Sequence, residues 1–357
     1  MNYYIKQFLL LLTRAIVFWA IALCIFIVIR YYALGDEEGI DNSAIPIAHW
    51  LKIGIIFGTM VGVIYAIVEF AFDNYISIRL PLWLIIIQKS LIYLVALAWS
   101  TSQVFALMES ELDLNFLHEG DWWLTSKIFW VLVVYYIIAS LIFSFIKISN
   151  EKFGRGMFIK LLFGTYRKPK EEERIFMFLD LKSSTTIAEQ LGHFKYSQFI
   201  QDCFFDLNRV LKKYDAEIYQ YVGDEAVLHW TNDRGVKNQN CIKIFFAFEK
   251  RLSKNKKRYH LKYGLQPSFK AGAHCGKLIA TEIGLVKKEI AFHGDVMNTT
   301  SRIQEECNSY GESLLISENL LTILNIKAKY KLNSLGSIKL KGKEQEVNLY
   351  SVNRTSA

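Results

Sequence analysis

Two regimes of hydrophobic patterning divide this chain. Up to about residue 150, apolar residues run in long, nearly uninterrupted stretches; beyond it they recur at the short periods of strands and amphipathic helices. Four of the long stretches, 8–34, 51–72, 80–107 and 122–146, reach the ~20 residues that a helix needs to cross a hydrocarbon core of ~30 Å. They predict a four-helix transmembrane bundle over residues 1–148. The first stretch is too long for the apolar core of a signal peptide, and no small-residue cleavage site follows it, so it is expected to be retained.

Residues 149–173 read as a juxtamembrane linker. Gly154, Gly156, Gly164 and Pro169 break its pattern, 157–163 is short and amphipathic, and 168–174 is rich in charge and expected in solvent. From 174 to 357 the pattern predicts a separate domain. Its strands fall at 174–181, 217–222 and 225–230. Its helices fall at 194–213, with Phe194, Phe199, Cys203, Leu207 and Leu211 on one buried face, and at 237–256. Segments 267–275 and 276–284 read as a hairpin. A helix starts near Asp295 and runs through Asn298 and Arg302, and strands at 336–343 and 346–350 close the chain. The fold class is α+β, with one mixed central sheet behind the apolar bundle.

Charge orients the bundle. The sequence of 357 residues has a formal net charge of +8, and its mean hydropathy of +0.19 averages over the two regimes. Asp36, Glu37, Glu38 and Asp41 lie between the first two spans, and Glu109, Glu111, Asp113, Glu119 and Asp121 between the last two. Lys6, Arg14, Arg79, Lys147, Lys152, Arg155 and Lys160 lie at the opposite ends. Positive residues stay inside, so both termini and the second domain are expected in the cytoplasm, on the inner face of the plasma membrane. Trp50, Trp83, Trp122 and Trp123 are placed as interfacial anchors. Glu69 and Lys89 lie near cytosolic span ends and read as snorkelling side chains, with a buried ion pair as the competing arrangement. No basic recognition helix or zinc-finger spacing appears, which argues against nucleic acid as a partner. The five cysteines are scattered, odd in number and without a CxxC, as reduced thiols are.

The candidate chemistry sits at strand ends. Asp180 closes the apolar run 174–181, and Asp224 follows Gly223 in a tight turn between two strands. Carboxylates at adjacent strand ends can hold Mg²⁺ against a triphosphate. Ser183, Ser184 and Thr185 follow Asp180 at a helix start, where free backbone N–H groups suit phosphate oxygens. Asn298 and Arg302, four apart, share one helix face and could brace a phosphorus centre and a sugar oxygen. Lys339, Lys341 and Lys343 share one strand face, but the P-loop spacing is absent. His274 and His293 lack a nucleophilic partner and read as structural.

Taken together, Phe178-x-Asp180-x-x-x-Ser184-Thr185, Tyr221-Val-Gly223-Asp224-Glu225, the run from Phe292 through Asn298 to Arg302, and Lys339-Leu-Lys341-Gly-Lys343 resemble the catalytic domain of class III nucleotidyl cyclases, the adenylate and guanylate cyclases. The resemblance implies a homodimer with its active sites between subunits. It implies two Mg²⁺ or Mn²⁺ ions on Asp180 and Asp224, Asn298 and Arg302 supplied by the partner, and Lys341 on the triphosphate. It places Gln220 and Ala291 at the two base-reading positions. Gln220 stands where a lysine often reads adenine, and Ala291 where an aspartate or threonine is usual. The glutamate and cysteine associated with guanine are absent, and the expected reaction is ATP to 3′,5′-cyclic AMP and pyrophosphate. A cyclase using GTP, or a weak or silent cyclase-like sensor or scaffold, remains the alternative. A GG[DE]EF turn of the diguanylate type is not present. Besides ATP and the bilayer, a small or apolar ligand of the bundle is the further partner considered.

Overall fold

Alternation along one strand sets the architecture of the C-terminal half. In β1 (Lys170–Leu181), Ile175, Met177, Leu179 and Leu181 turn to one side of the sheet, Phe176 and Phe178 to the other, and all are buried. A strand covered on both faces needs a continuous apolar run, which 175–179 supplies. The computed structural model describes residues 3–34, 46–73, 81–112, 127–153, 157–286, 288–324, 330–339 and 346–354. The chain divides into two units, Met1–Ser149 and Asn150–Ala357.

In the first unit α1 (Tyr3–Ile29), α2 (Ile47–Ala71), α3 (Leu82–Leu112) and α4 (Lys127–Phe153) share a core around Trp19, Tyr65, Tyr93 and Tyr136. Trp19 stacks on Tyr136 with ring centres 4.6 Å apart. Among the described residues, three helical segments are long and apolar enough to cross a membrane: Phe8–Tyr32, Ile47–Ala71 and Phe129–Lys147. The helix α3, at the expected third span, interrupts its apolar run with Gln88 and Lys89 and again with Thr101, Ser102 and Gln103.

One expectation changes here. Glu69 does not snorkel: it is buried, and its carboxylate accepts from Lys89 Nζ at 2.8 Å, from Tyr93 Oη at 3.0 Å and from Lys147 Nζ. Lys147 also pairs with Asp73 at 2.7 Å. One acid from α2 thus gathers lysines from α3 and α4, because an isolated charge in an apolar bundle is far costlier than a paired one. Trp50, in the first turn of α2, is buried against the bundle with the Arg30 guanidinium 4.8 Å from its ring centre. Trp122, Trp123 and the acidic residues at 36–41 and 113–121 lie outside the described residues.

The second unit opens with the short helix α5 (Met157–Leu162), then β1 and α6 (Ser184–Leu211). There follow β2 (Glu217–Val222), β3 (Glu225–Thr231), α7 (Asn232–Val236), α8 (Asn240–Lys254) and α9 (Lys256–Tyr263). Next come β4 (Phe269–Ile283), β5 (Glu289–His293), α10 (Asp295–Ser309), β6 (Leu314–Ser317), α11 (Glu318–Ile323), β7 (Tyr330–Lys339) and β8 (Glu346–Arg354). The sheet order is β2-β3-β1-β4-β6-β8-β7, with β5 on β4. The β4–β6 pair is parallel and the others are antiparallel, so the sheet is mixed, as expected. Phe199, Cys203, Leu207, Phe245, Phe248 and Tyr259 from α6, α8 and α9 cover the face bearing Ile175 and Met177. On the other face α10 packs so closely that a Cβ on Gly272 of β4 would lie 2.3 Å from Gln304 N.

The structure redraws three local details. Segment 267–284 is no hairpin but the single strand β4, and Gly276 within it sits under Val296 of α10. The helix expected at 194–213 starts at Ser184 and kinks at Gly192 (φ 70°, ψ 161°), which swings Phe194 out of the buried stripe to 77% exposure. The charged segment 168–174 enters the sheet from Lys170, with Arg174 buried, and Tyr166 before it is packed wholly against Phe176 and Phe178.

Candidate active site

Three neighbouring strand ends build an acidic corner. Alternation places Asp180 on the face of β1 that carries Phe178, and antiparallel pairing sets it opposite Glu225 of β3 and Lys270 of β4. Val222 pairs with Glu225, leaving Gly223 and Asp224 as a two-residue turn. Gly223 has φ +59°, a left-handed conformation that glycine adopts without steric penalty. Asp180 and Asp224, nominated from sequence, therefore lie near enough within one chain for the charge of Asp224 to act on Asp180. Ser183, Ser184 and Thr185 stand at the start of α6 immediately after Asp180, with Ser183 in a left-handed conformation (φ 56°).

The corner holds more negative than positive charge. Burial and the charge of Asp224 push the Asp180 carboxyl upward, against the pull of Lys270. Burial, then Asp180 and Asp224, push Glu225 up to about 7. The Tyr196 phenol of α6 is also raised, by burial and by Asp224. Lys270 Nζ lies 3.3 Å from Asp180 Oδ2, and Gln304 Nε2 donates to the same oxygen at 3.1 Å. Asp224 Oδ2 is buried and has no hydrogen-bond partner among the described residues. An orphaned buried carboxylate oxygen carries a desolvation cost that a bound cation would remove.

These residues fit a magnesium-like ion. Among the described residues no three His, Cys, Asp or Glu side chains are grouped to form a protein metal cage. Mg²⁺ seldom uses one; it takes one or two carboxylates and completes its shell with water and substrate phosphates. Asp180 and Asp224 offer that hard-oxygen pair.

The remaining expected residues sit elsewhere. Gln220 is exposed on β2, beside a bulge between Ile218 and Gln220, and Ala291 is buried on β5 opposite Thr281. Asn298 is exposed on α10, and Arg302 forms an ion pair with Glu305 at 2.6 Å. Gln304 reaches Asp180, and Arg302, two residues before it, lies about 200° around the helix. Asn298 and Arg302 thus lie on the side of α10 away from their own acidic corner. Lys341 falls outside the described residues. Buried His274 bonds Ser317 at 2.7 Å, and His293 is exposed. Sequence reasoning missed Glu225, Lys270 and Gln304. Lys270 was visible as a lone charge in an apolar run, and Gln304 as a polar residue on the same helix stripe as Thr300, Ile303 and Cys307.

Residues 166–354 match the family described as the adenylate and guanylate cyclase catalytic domain. The chain belongs to that family. Its cyclase domain starts early enough to include buried Tyr166. Adenylate cyclase 2 of Rhizobium meliloti (strain 1021) is 34% identical over 220 residues, which are 62% of this chain and 61% of that protein. The receptor-type guanylate cyclase gcy-27 of Caenorhabditis elegans is 28% identical over 183 residues, 50% of this chain and 24% of that protein. The chain thus spans about three fifths of the first relative and about a quarter of the second. The crystal structure of the adenylyl cyclase CyaB from P. aeruginosa aligns with a TM-score of 0.47 at 18% identity, covering 53% of this chain and 97% of that one. The cyclase domain is thus a class III nucleotidyl-cyclase-like module behind several long apolar helices, related to enzymes of both purine specificities.

Proposed function

We propose that this protein is a membrane-anchored adenylate cyclase that converts ATP to 3′,5′-cyclic AMP and pyrophosphate between two copies of its catalytic domain. The observation that carries the reading is the acidic corner: Asp180 and Asp224 meet with a buried, unpaired Oδ2, while Asn298 and Arg302 of the same chain turn away. A corner of acids whose own Asn298 and Arg302 lie on the other side of α10 is half a site, and that exposed Asn–Arg pair is the complementary half. A twofold dimer of identical chains would join them twice. Asp180 and Asp224 would hold Mg²⁺ or Mn²⁺, two ions per site in this reading, supplying positive charge that polarises the ribose 3′-hydroxyl and the phosphates.

The residues of the chain have the following tasks. Backbone N–H groups at Ser183, Ser184 and Thr185 face phosphate oxygens at the start of α6. Arg302 of the twin neutralises charge developing at the α-phosphorus, and Asn298 orients the sugar. Lys341 meets the terminal phosphates. Gln220 reads the base with an amide that both donates and accepts, and Ala291 shapes the wall. Likeness to the Rhizobium meliloti adenylate cyclase supports ATP. Likeness to guanylate cyclases supports GTP as the second reading, and Ala291, with no side-chain hydrogen bond to offer, favours neither base. The bundle is assigned four spans, with α3 as the third, and both chain ends cytoplasmic.

The test uses full-length protein in detergent with Mn²⁺ or Mg²⁺, measuring cyclic nucleotide from ATP and from GTP. Asp180→Ala and Arg302→Ala should each lower kcat at least ~100-fold, and co-expressing the two variants should restore part of the activity. A higher kcat/KM for GTP would overturn the substrate assignment, and no rescue in verified heterodimers would overturn the shared site.

A further inference from the structure

One side chain joins the two functional faces of α10. Gln304 is buried, and its Nε2 donates to Asp180 Oδ2 at 3.1 Å, across 124 residues of sequence. Lys270, also buried, meets the same oxygen at 3.3 Å. Oδ2 is therefore engaged from inside the protein. The backbone beneath Gln304 is equally constrained, since Gly272 lies so close that its absent Cβ would fall 2.3 Å from Gln304 N and 2.7 Å from its Cα. Gly272 in turn pairs with Phe178 of β1, two residues before Asp180. Asn298 and Arg302 ride on the same 15-residue helix, six and two residues before Gln304.

We infer that Gln304 is a positioning residue with two outputs. It fixes the Asp180 carboxylate of its own half-site, and it sets the placement of the Asn298 and Arg302 that its helix offers to the twin's half-site. Cation binding at one site and transition-state alignment at the other are thereby tied through one hydrogen bond. The inference rests on the shared-site reading above and adds to it a link between the two sites.

The test separates the two outputs by chain. Differently tagged full-length chains carrying Arg302→Ala and Asp224→Ala are co-expressed, giving a heterodimer with one complete site. The first chain supplies its carboxylates and the second its Asn298 and Arg302, while both keep the Gln304–Asp180 bond. Gln304→Met on the Arg302→Ala chain should raise the half-saturating Mn²⁺ concentration about tenfold, the scale of losing a hydrogen bond to a charged group. The same substitution on the Asp224→Ala chain should lower the rate at saturating Mn²⁺ about tenfold and leave half-saturation in place. Without nucleotide, Mn²⁺ titration of the Gln304→Met homodimer by electron paramagnetic resonance should show binding weakened about tenfold. Gln304→Asn, which keeps the amide on a shorter stem, should move each readout the same way if the methionine variant folds poorly. The inference is overturned if the effect on the Asp224→Ala chain is absent, or if both chains give the same mixed loss. An inactive parent heterodimer, recovered with both tags, would overturn the shared-site reading before Gln304 is touched, and this inference with it.

Discussion

His229 shows how one buried side chain sets the response of the cyclase domain to acid. It stands in β3, wholly enclosed, and its Nδ1 accepts from Arg174 Nη1 at 2.8 Å. A guanidinium has only donors, so the ring is held neutral with its proton on Nε2. Burial first, then the charges of Arg174 and Arg234, push this imidazole down from 6.5 to about 3. A depressed folded value means that the stabilisation is complete above the unfolded value and is lost as pH falls from there towards about 3. The unfolding midpoint of the full-length protein should therefore drop between pH 7.5 and pH 5, and His229→Gln should flatten that slope. An unchanged slope in scanning calorimetry of the variant would sink the assignment. Residue-level chemistry was only partly legible beforehand. Asp180 and Asp224 announce themselves because a strand end and a Gly-Asp turn are local patterns. Lys270 and Gln304 stand out locally only as polar residues among apolar neighbours, and strand pairing and helix docking alone bring them to Asp180.

At the scale of elements, the fit of α10 on the sheet decides more than any single side chain. Two glycines of the corner separate conformation from space. A methyl on Gly223 meets nothing within 4 Å, so Gly223→Ala adds only the strain of a left-handed residue, ~1 kcal/mol. A methyl on Gly272 collides with backbone of α10. Gly272→Ala should cost ~3 kcal/mol, at the upper end for overpacking, and should remove most cyclase activity by displacing the helix that carries Gln304, Asn298 and Arg302. Denaturant melts and cyclic nucleotide assays on the two variants check this, and equal losses would refute it. Element existence was readable wherever periodicity was long: β1, the β2–β3 hairpin with its Tyr221–Ala226 pairing, α10 and β8 lie close to their expected places, while β7 starts six residues before the expected strand 336–343, whose last four residues lie outside the described ones. The errors fall at glycines. Gly276 stood at the expected hairpin turn and is a packing site inside β4, while Gly192, just before the expected helix at 194–213, is a kink within α6. A glycine in sequence signals permission, and only the neighbouring element shows which permission is used. In the bundle, α2, α3 and α4 meet at Glu69. Glu69→Gln should leave Lys89 without its carboxylate and Lys147 with Asp73 alone, and destabilise the bundle by ~3 kcal/mol. Thermal unfolding in detergent reads that loss, and an unchanged midpoint would return Glu69 to a peripheral role.

For the whole molecule, the number of membrane crossings decides on which side the chemistry takes place. Three helical segments satisfy length and hydropathy among the described residues, and α3 lies between the second and third of them in sequence. An odd count would put the amino terminus and the cyclase domain on opposite sides, and an even count puts them together. Two observations favour the even count. The amino end carries Lys6 and Arg14, and the segment entering the cyclase domain carries Lys147, Lys152 and Lys160, so the positive-inside rule assigns both to the cytoplasm. Lys89, the strongest polar interruption in α3, has its charge compensated by Glu69 inside the bundle, which lowers the cost of α3 within the membrane. Hydropathy averaged over one helix cannot register that compensation, since the acid lies on another helix. The even count also places the acidic corner in the compartment where nucleoside triphosphates and Mg²⁺ are abundant. Fluorescent-protein fusions, which mature in the cytoplasm, should therefore light up at either end of the full-length chain. Alkaline phosphatase fusions, which mature only outside it, should be silent at both ends and active when inserted near residue 40 or residue 118. A fluorescent amino end together with an active phosphatase at the carboxyl end would establish an odd count and place the acidic corner out of reach of its nucleotide.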